Sequence, residues 1–372
     1  MFTLTEEHEL LRDAARAFAQ NEMPTTHARA VRDAQAEGFD RAKWKEMADM
    51  GWTGILIPEE HGGSALGYVG MGIVLEELGK TLAPSPLHST ALVGASAIML
   101  GGSNAQKSEW LPKIAAGDAI VALAIDEGPH HAPAKISLDA KKAKDGFTLN
   151  GAKKYVADGH VADLLIVAAR TSEGLGLFLV PAKAGGATIT ALRTLDSRGA
   201  ADISFENVAV KAGDVLHLPA DSGETLVDQI LDRARIGLAA EMLGHATQAF
   251  ETTSEYLKTR TQFGQVIGTF QSLQHRASKM FVELELTRSC VMAALSALDS
   301  GSNDVRELAS LAKARAGETL HLISNEMVQM HGGIGMTDAA DPGLYLKRAR
   351  VAEALYGSAS FHRDRYAALN NF

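Results

Sequence analysis

The sequence predicts an α+β multidomain chain, with an N-terminal helical domain over 1–117, a middle β-barrel domain over 118–220 and a C-terminal four-helix bundle over 221–372. Three observations carry this. Apolar residues recur at helical spacing through the first segment, short β-rich runs separated by turn signals replace them from Asp118, and long amphipathic stretches return from Asp221.

In the first segment Thr5 is placed to cap a helix. Glu6 and Glu7 suit its positive end, and Leu10, Leu11, Ala14, Ala15 and Phe18 share one face. Further helices are expected over 41–50, 70–80 and 89–100, interrupted by Pro58, by Gly62-Gly63 and by Pro84 with Pro86. The middle segment offers strands at 120–125, 136–140, 147–149, 164–168, 175–180 and 187–192, with Asp145-Gly146 as a hairpin signal. No helix-length crossover separates these runs. A small barrel or sandwich is therefore expected rather than a parallel sheet, and a dinucleotide-binding Rossmann unit is disfavoured. The bundle helices are expected near 224–258, 270–298, 304–330 and 344–369, joined by short glycine-containing loops.

With 372 residues, 46% of them apolar and 22% charged, the chain is long enough for a large core and more than one structural unit. A net charge of −9 with no separate basic patch argues against a nucleic-acid partner. Cys290 is the single cysteine, which excludes an intrachain disulfide framework and a thiolate metal cluster, and fits a reducing cytoplasm. The acidic start lacks the pattern of a signal peptide, and the longest apolar stretch, 119–125, falls far short of the roughly 20 residues that cross a bilayer. A cytoplasmic protein without membrane insertion is expected. His130 and His131 have no spaced partner ligands in the sequence, so no metal is expected.

Two motifs stand out. The first is Arg260-Thr261-Gln262-Phe263-Gly264-Gln265 with Ile267-Gly268 and Phe270-Gln271; the second is Gln329-Met330-His331-Gly332-Gly333-Ile334-Gly335. Alone, Arg260 reads as a solvated charge at a helix end and the glycine pair as a helix cap. Together, on two bundle helices, they resemble the R-x-x-F-G and Q-x-x-G-G-x-G segments of the acyl-CoA dehydrogenase family, a resemblance that extends over essentially the whole chain. Weaker supports are Ile57-Pro58-Glu59-Glu60-His61-Gly62-Gly63, Leu149-Asn150-Gly151-Ala152-Lys153 and Asp196-Ser197-Arg198-Gly199.

The resemblance implies FAD as cofactor and an acyl-CoA thioester as substrate. In this family a carboxylate removes the α proton while the β hydrogen leaves as hydride to the flavin, and an oxyanion site stabilises the developing enolate. FAD's pyrophosphate needs a fixed cation, which Arg260 supplies, and its adenosine needs close backbone approach, which Gly332 and Gly333 allow. Gln262, Phe263, Gln271, Gln329 and Ser358 complete the implied cofactor set. In the family the two motifs serve the neighbouring subunit's FAD, so the chain is expected to be at least dimeric.

The match fails where the base should be. The family's glutamate in a Y-E-G-T-S-like turn corresponds to Tyr356, and the alternative glutamate, one residue before the arginine matched by Arg235, corresponds to Ala234. Glu353 and Asp232 lie nearby, but a shift of two or three helical residues turns a side chain roughly 200 to 300 degrees away. A phenol with an ordinary pKa near 10 is a poor base at neutral pH, so Tyr356 reads as packing.

The family's T-E-P-G-A-G-S-D loop reads 126–133 here, with Ala132 in place of a hydroxyl and Asp126 adding negative charge. Its W-I-T segment reads Tyr155-Val156-Ala157. Contacts lent to a partner are thus intact while those for the chain's own flavin are not. The chain is similar to the glutamate-less subunits of α2β2 members that act on steroid side chains. The resemblance implies a homologous partner subunit, a ring-bearing acyl-CoA and an electron-transfer flavoprotein as acceptor. Two other readings stay open: a homo-oligomer with a relocated base, and a catalytically silent CoA-binding scaffold.

Overall fold

Thr5 caps the first helix as expected, its side chain accepting from the His8 backbone N–H. The computed structural model describes residues 4–34, 37–217 and 223–372. Six α-helices come first: α1 (Glu6–Glu22), α2 (Thr25–Ala34), α3 (Arg41–Asp49), α4 (Gly67–Lys80), α5 (Ala95–Gly101) and α6 (Asn104–Ala115). Eight strands follow: β1 (Val121–Ala124), β2 (Asp139–Ala143), β3 (Gly146–Ala157), β4 (Leu164–Thr171), β5 (Gly174–Pro181), β6 (Ala187–Arg193), β7 (Gly199–Lys211) and β8 (Val215–Leu216). Then come α7 (Gly223–Thr259), the short strands β9 (Thr261–Gln262) and β10 (Gln265–Val266), α8 (Gln271–Ser300), α9 (Val305–His331), α10 (Pro342–Ala354) and α11 (Ala359–Leu369).

These elements gather into two compact units, each discontinuous in sequence. One comprises Met1–Ala30, Tyr68–Ala83 and Arg235–Phe372; the other comprises Val31–Gly67 and Pro84–Ala234.

The first unit is helical. Glycines let its helices approach closely: a Cβ on Gly72 would lie 2.4 Å from Leu295 Cδ1, and one on Gly244 only 2.0 Å from the Glu76 carbonyl oxygen, so α4 lies close to α8 and α7. A buried polar chain stabilises the same region. Arg348 donates to Glu241 (2.9 Å) and to His245 Nε2 (3.4 Å), and His245 Nδ1–H donates to the Gly79 carbonyl (2.6 Å). Each of these side chains is buried and each is bonded, which is how burial of charge is tolerated. The fourth bundle helix expected over 344–369 is two helices, because Tyr356 and Gly357 adopt φ of +57° and +108° and end α10.

The second unit is built on an eight-stranded sheet of order β6-β7-β3-β2-β4-β5-β8, with β1 also paired to β4. The Asp145-Gly146 signal falls at the β2–β3 hairpin, where Ala143 pairs with Gly146. Pairing is antiparallel except along β1 and β4, and at the single bridge between β2 and β4. β7, thirteen residues long, was not predicted as a strand because Asp202, Glu206 and Asn207 break its apolar run, although inward-facing Ala201, Ile203 and Phe205 are buried. Residues Leu87–Gly94 form a π-helical turn ahead of α5 rather than ordinary helix. Its Thr90 hydroxyl accepts from Val121 N–H (3.0 Å) and donates to Val121 O (3.3 Å), and Gly94 packs on Val121, so β1 fixes the irregular turn.

Candidate functional site

The Arg260 motif is a hairpin. α7 ends at Thr259, the Arg260 N–H bonds Tyr256 O (2.9 Å), and Ile267 N–H returns to Arg260 O (2.9 Å). Gln262 pairs with Gln265, leaving Phe263 (φ +55°) and Gly264 (φ +78°) as the two turn residues, both left-handed as a type I′ turn requires. A left-handed phenylalanine carries strain, and here the ring is 88% exposed, touching only the edge of Phe270 at 6.1 Å between centroids among the described ring contacts. Arg260, Gln262 and Gln271 are exposed with it.

The second motif lies at the end of α9. Gln329 is exposed, His331 is the last helical residue, and Gly332 turns the chain with φ +64° and ψ −139°, a conformation available essentially only to glycine. Cβ atoms on Gly332 or Gly333 would meet nothing within 4 Å, so the bare backbone there faces open space. The two motifs are tied together by a contact that the sequence did not disclose. Tyr256, one turn before Arg260, stacks on His331 at 4.3 Å, and its hydroxyl donates to the His331 carbonyl (3.4 Å). Burial lowers the His331 pKa, which keeps the ring neutral, with Nδ1–H donating to Met327 O (2.7 Å).

The turn at Tyr356 lies over a buried cationic cluster in the same unit. Tyr356 is buried, and its carbonyl accepts from Arg235 Nε (3.3 Å) and from His362 Nε2–H (3.1 Å). Lys313 donates to Glu353 O (3.1 Å) and Gly357 O (2.9 Å), while the Arg235 guanidinium sits 5.5 Å over the Phe361 ring. Burial first, then the charges of Arg235 and Arg348, pull Lys313 down to about 7 despite Glu353. Burial first, then Arg235 and Lys313, pull His362 down to about 2. Ser358 caps α11, accepting from Phe361 N–H (3.4 Å), and shares a hydrogen bond with Ser360 (2.9 Å) on the wall of a cavity of about 610 Å³.

No carboxylate occupies either expected base position. Ala234 is fully buried and its carbonyl meets His88 Nε2 at 2.9 Å. Glu353 is held by His321 Nδ1 (3.2 Å) and Arg350 (3.7 Å), and Asp232 is buried.

In the sheet unit the 126–138 loop closes on itself. Asp126 binds His131 Nδ1 (2.9 Å) and the Ala132 N–H (3.1 Å); Glu127 takes the Ser137 N–H and hydroxyl, the Leu138 N–H and the buried Lys153 ammonium (2.7 Å). Burial would raise the Glu127 pKa, but these donors outweigh it and hold the carboxyl below its usual range. Tyr155 lies at the irregularity between Lys153 and Val156 on β3, with φ +50° and 61% exposure, and Ala157 brings no hydroxyl.

These residues divide in their fit to FAD. The hairpin and glycine turn offer an exposed guanidinium, three amide side chains and unobstructed backbone, the groups a dinucleotide's pyrophosphate and adenosine use. The 126–133 loop instead presents a carboxylate already satisfied by its own loop.

The order helices, antiparallel sheet, helical bundle, with a glycine-rich helix end beside an arginine hairpin, defines a flavin-dependent dehydrogenase architecture. The family models for the N-terminal, middle and C-terminal domains of acyl-CoA dehydrogenase match residues 5–118, 127–208 and 221–369, and the chain belongs to the acyl-CoA dehydrogenase family. Members are FAD-dependent oxidoreductases acting on CH–CH bonds of acyl-CoA thioesters. The chain is 30% identical to the probable acyl-CoA dehydrogenase YngJ of Bacillus subtilis, over 97% of each chain. Among solved structures it resembles a variant of the Tcur3481–Tcur3483 steroid ACAD (32% identity, 99% of each chain, TM-score 0.91). It also resembles the ChsE4–ChsE5 complex from Mycobacterium tuberculosis (25% identity, 100% of this chain and 99% of that one, TM-score 0.92). Among the described residues no helix is long and apolar enough to cross a membrane.

Proposed function

We propose that this chain is the subunit of a heteromeric acyl-CoA dehydrogenase that lacks the catalytic glutamate and lends FAD contacts to a homologous, glutamate-bearing partner. The observation that carries the reading is the contrast between two positions and one surface. Tyr356 and Ala234 are buried and carry no carboxylate, while Arg260, Gln262, Phe263, Gln271, Gln329, Gly332 and Gly333 are all exposed. On α8, Phe281, Val282 and Leu286 are each more than half exposed and fall on one side of the helix, an apolar strip of the kind that a partner covers.

Bound FAD supplies the hydride acceptor. This chain's own contribution is to place Arg260 against the pyrophosphate, bring the Gly332-Gly333 backbone to the adenosine, and flank it with Gln262, Phe263, Gln271 and Gln329. Ser358 offers a hydroxyl from its own side. Arg235 and Lys313 fix the Tyr356 turn through carbonyl hydrogen bonds and abstract no proton. The likeness to a steroid ACAD supports a ring-bearing acyl-CoA as substrate, and the two-protein composition of both structural neighbours supports a heteromer. Electron-transfer flavoprotein is the acceptor in this reading.

The test is a flavin count. Purified alone, the chain is expected to hold clearly less than one FAD and to turn over no acyl-CoA; co-expressed with a glutamate-bearing homologue, it is expected to give a stable complex with a full flavin spectrum and turnover. A full equivalent of FAD with turnover by the chain alone would sink the proposal.

A further inference from the structure

The glycine turn belongs to a strap, 332–341, that joins α9 to α10 in the helical unit. Glycine samples more backbone conformations than any other residue, and Gly332 and Gly333 stand side by side. A ligand contact made through their backbone therefore depends on how firmly the strap is held at both ends. Within the strap the Thr337 N–H (3.0 Å) and hydroxyl (2.8 Å) both donate to the Ile334 carbonyl. Gly335 sits so near α9 that a Cβ on it would lie 2.7 Å from the Val328 carbonyl oxygen. Upstream, the stack of Tyr256 on His331 holds the turn to the Arg260 hairpin.

The downstream end is held from the opposite end of the sequence. Arg29 on α2, its side chain 17% exposed, spreads its guanidinium over the last strap residues. One terminal nitrogen donates to the Asp338 carbonyl (2.8 Å) and carboxylate (2.7 Å), the other to the Ala340 carbonyl (2.9 Å) and the Asp341 carboxylate (2.8 Å). One turn earlier on α2, the Thr25 hydroxyl donates to the other Asp341 oxygen (2.8 Å). Asp341 leads into α10, its carbonyl accepting from the Leu344 N–H (2.8 Å). A planar, permanently charged fork that grips two backbone carbonyls and two carboxylates fixes both the position and the orientation of the strap; a lysine ammonium, a compact point charge, does not span the same set. Helix α2 has no fully buried residue, so polar contacts rather than a buried apolar face join it to the strap.

We propose that Arg29 is a positioning residue for the flavin: by fixing the strap, it holds the Gly332-Gly333 backbone in the conformation that meets the adenosine. Arg29 acts through the strap and not on the cofactor. The inference rests on the reading that this backbone is lent to a partner's FAD, and it adds a residue that sets how tightly that FAD is held.

The test uses the full chain in complex with a co-expressed glutamate-bearing homologue, stripped of flavin and titrated with FAD by flavin fluorescence. Arg29→Gln is expected to raise the FAD Kd about tenfold, and Arg29→Lys to give an intermediate value. A double-mutant cycle separates positioning from plain stabilisation. Gly332→Ala, which forces a side chain into a glycine conformation, is expected to weaken FAD binding by itself. Adding Arg29→Gln to it is expected to change Kd by less than about twofold further, because both changes disable one turn. Added to Arg260→Gln, which acts on the pyrophosphate, Arg29→Gln is expected to keep its full factor. An undiminished factor in both pairs would overturn the proposal. Flavin-free melting temperatures report folding; should the Arg29→Gln complex not assemble, Thr25→Val, which removes one hydrogen bond to Asp341, carries the same cycle with a factor of about three. FAD affinity within twofold of wild type in Arg29→Gln, while Gly332→Ala is weakened, overturns the positioning role alone. Unchanged affinity in Gly332→Ala overturns the lending reading beneath it.

Discussion

At position 362 a histidine ring is enclosed beside Arg235 and Lys313, and burial first, then the charges of these two residues, hold it neutral far below the ordinary value of 6.5, down to about 2. Between those limits the unfolded chain binds a proton that the folded chain refuses. Stability from this residue is therefore complete above about pH 6.5 and is lost progressively as pH falls toward 2. In urea titrations between pH 7 and pH 5, wild type is expected to lose stability faster than His362→Gln, so that its advantage over the variant narrows; parallel curves would show that the ring does not titrate this way. The sequence disclosed Tyr356 and Ala234 because they fall inside recognisable motifs. It did not disclose His362 or Lys313, which reach the same turn from α11 and α9 and reveal themselves only when those helices pack. For Lys313 the one available hint was a lone charge within the run Leu311-Ala312-Lys313-Ala314.

Among the elements, the crossing of α7 and α4 rests on the missing side chain of Gly244. A Cβ there would lie 2.0 Å from the Glu76 carbonyl oxygen, and backbone cannot move aside as a flexible side chain can. Gly→Ala inside an unobstructed helix usually stabilises by up to about 1 kcal/mol. Here the sign is expected to reverse, with Gly244→Ala costing more than about 2 kcal/mol through overpacking. Thermal melts decide the matter, since a neutral or stabilising effect would mean that the helices separate freely. Helices α1, α3 and α4 were legible from period and caps. Helix α2 was not, because it has no fully buried residue, and neither was α6, whose Pro112 reads as a breaker. Strand β7 was hidden by its polar outward face, whereas the hairpin before it announced itself through Asp145-Gly146.

For the molecule as a whole, the proposed subunit role turns on whether this chain or a glutamate-bearing homologue removes the α proton. Tyr356 is buried, its carbonyl is held by Arg235 and His362, and no carboxylate takes its place, so this chain is expected to contribute binding and no base. In a complex co-expressed with a glutamate-bearing homologue, Tyr356→Phe is expected to leave kcat within about twofold of wild type, because packing is conserved and no proton transfer is lost. Replacing the homologue's glutamate by glutamine is expected to lower kcat by about 10²- to 10⁴-fold, the usual contribution of a positioned base. Flavin content and melting temperature, measured on both complexes, separate loss of chemistry from loss of assembly. A large fall in kcat with Tyr356→Phe at full flavin occupancy would place the base, or a group acting through it, in this chain. Such a result would favour the relocated-base homologue over the lending subunit.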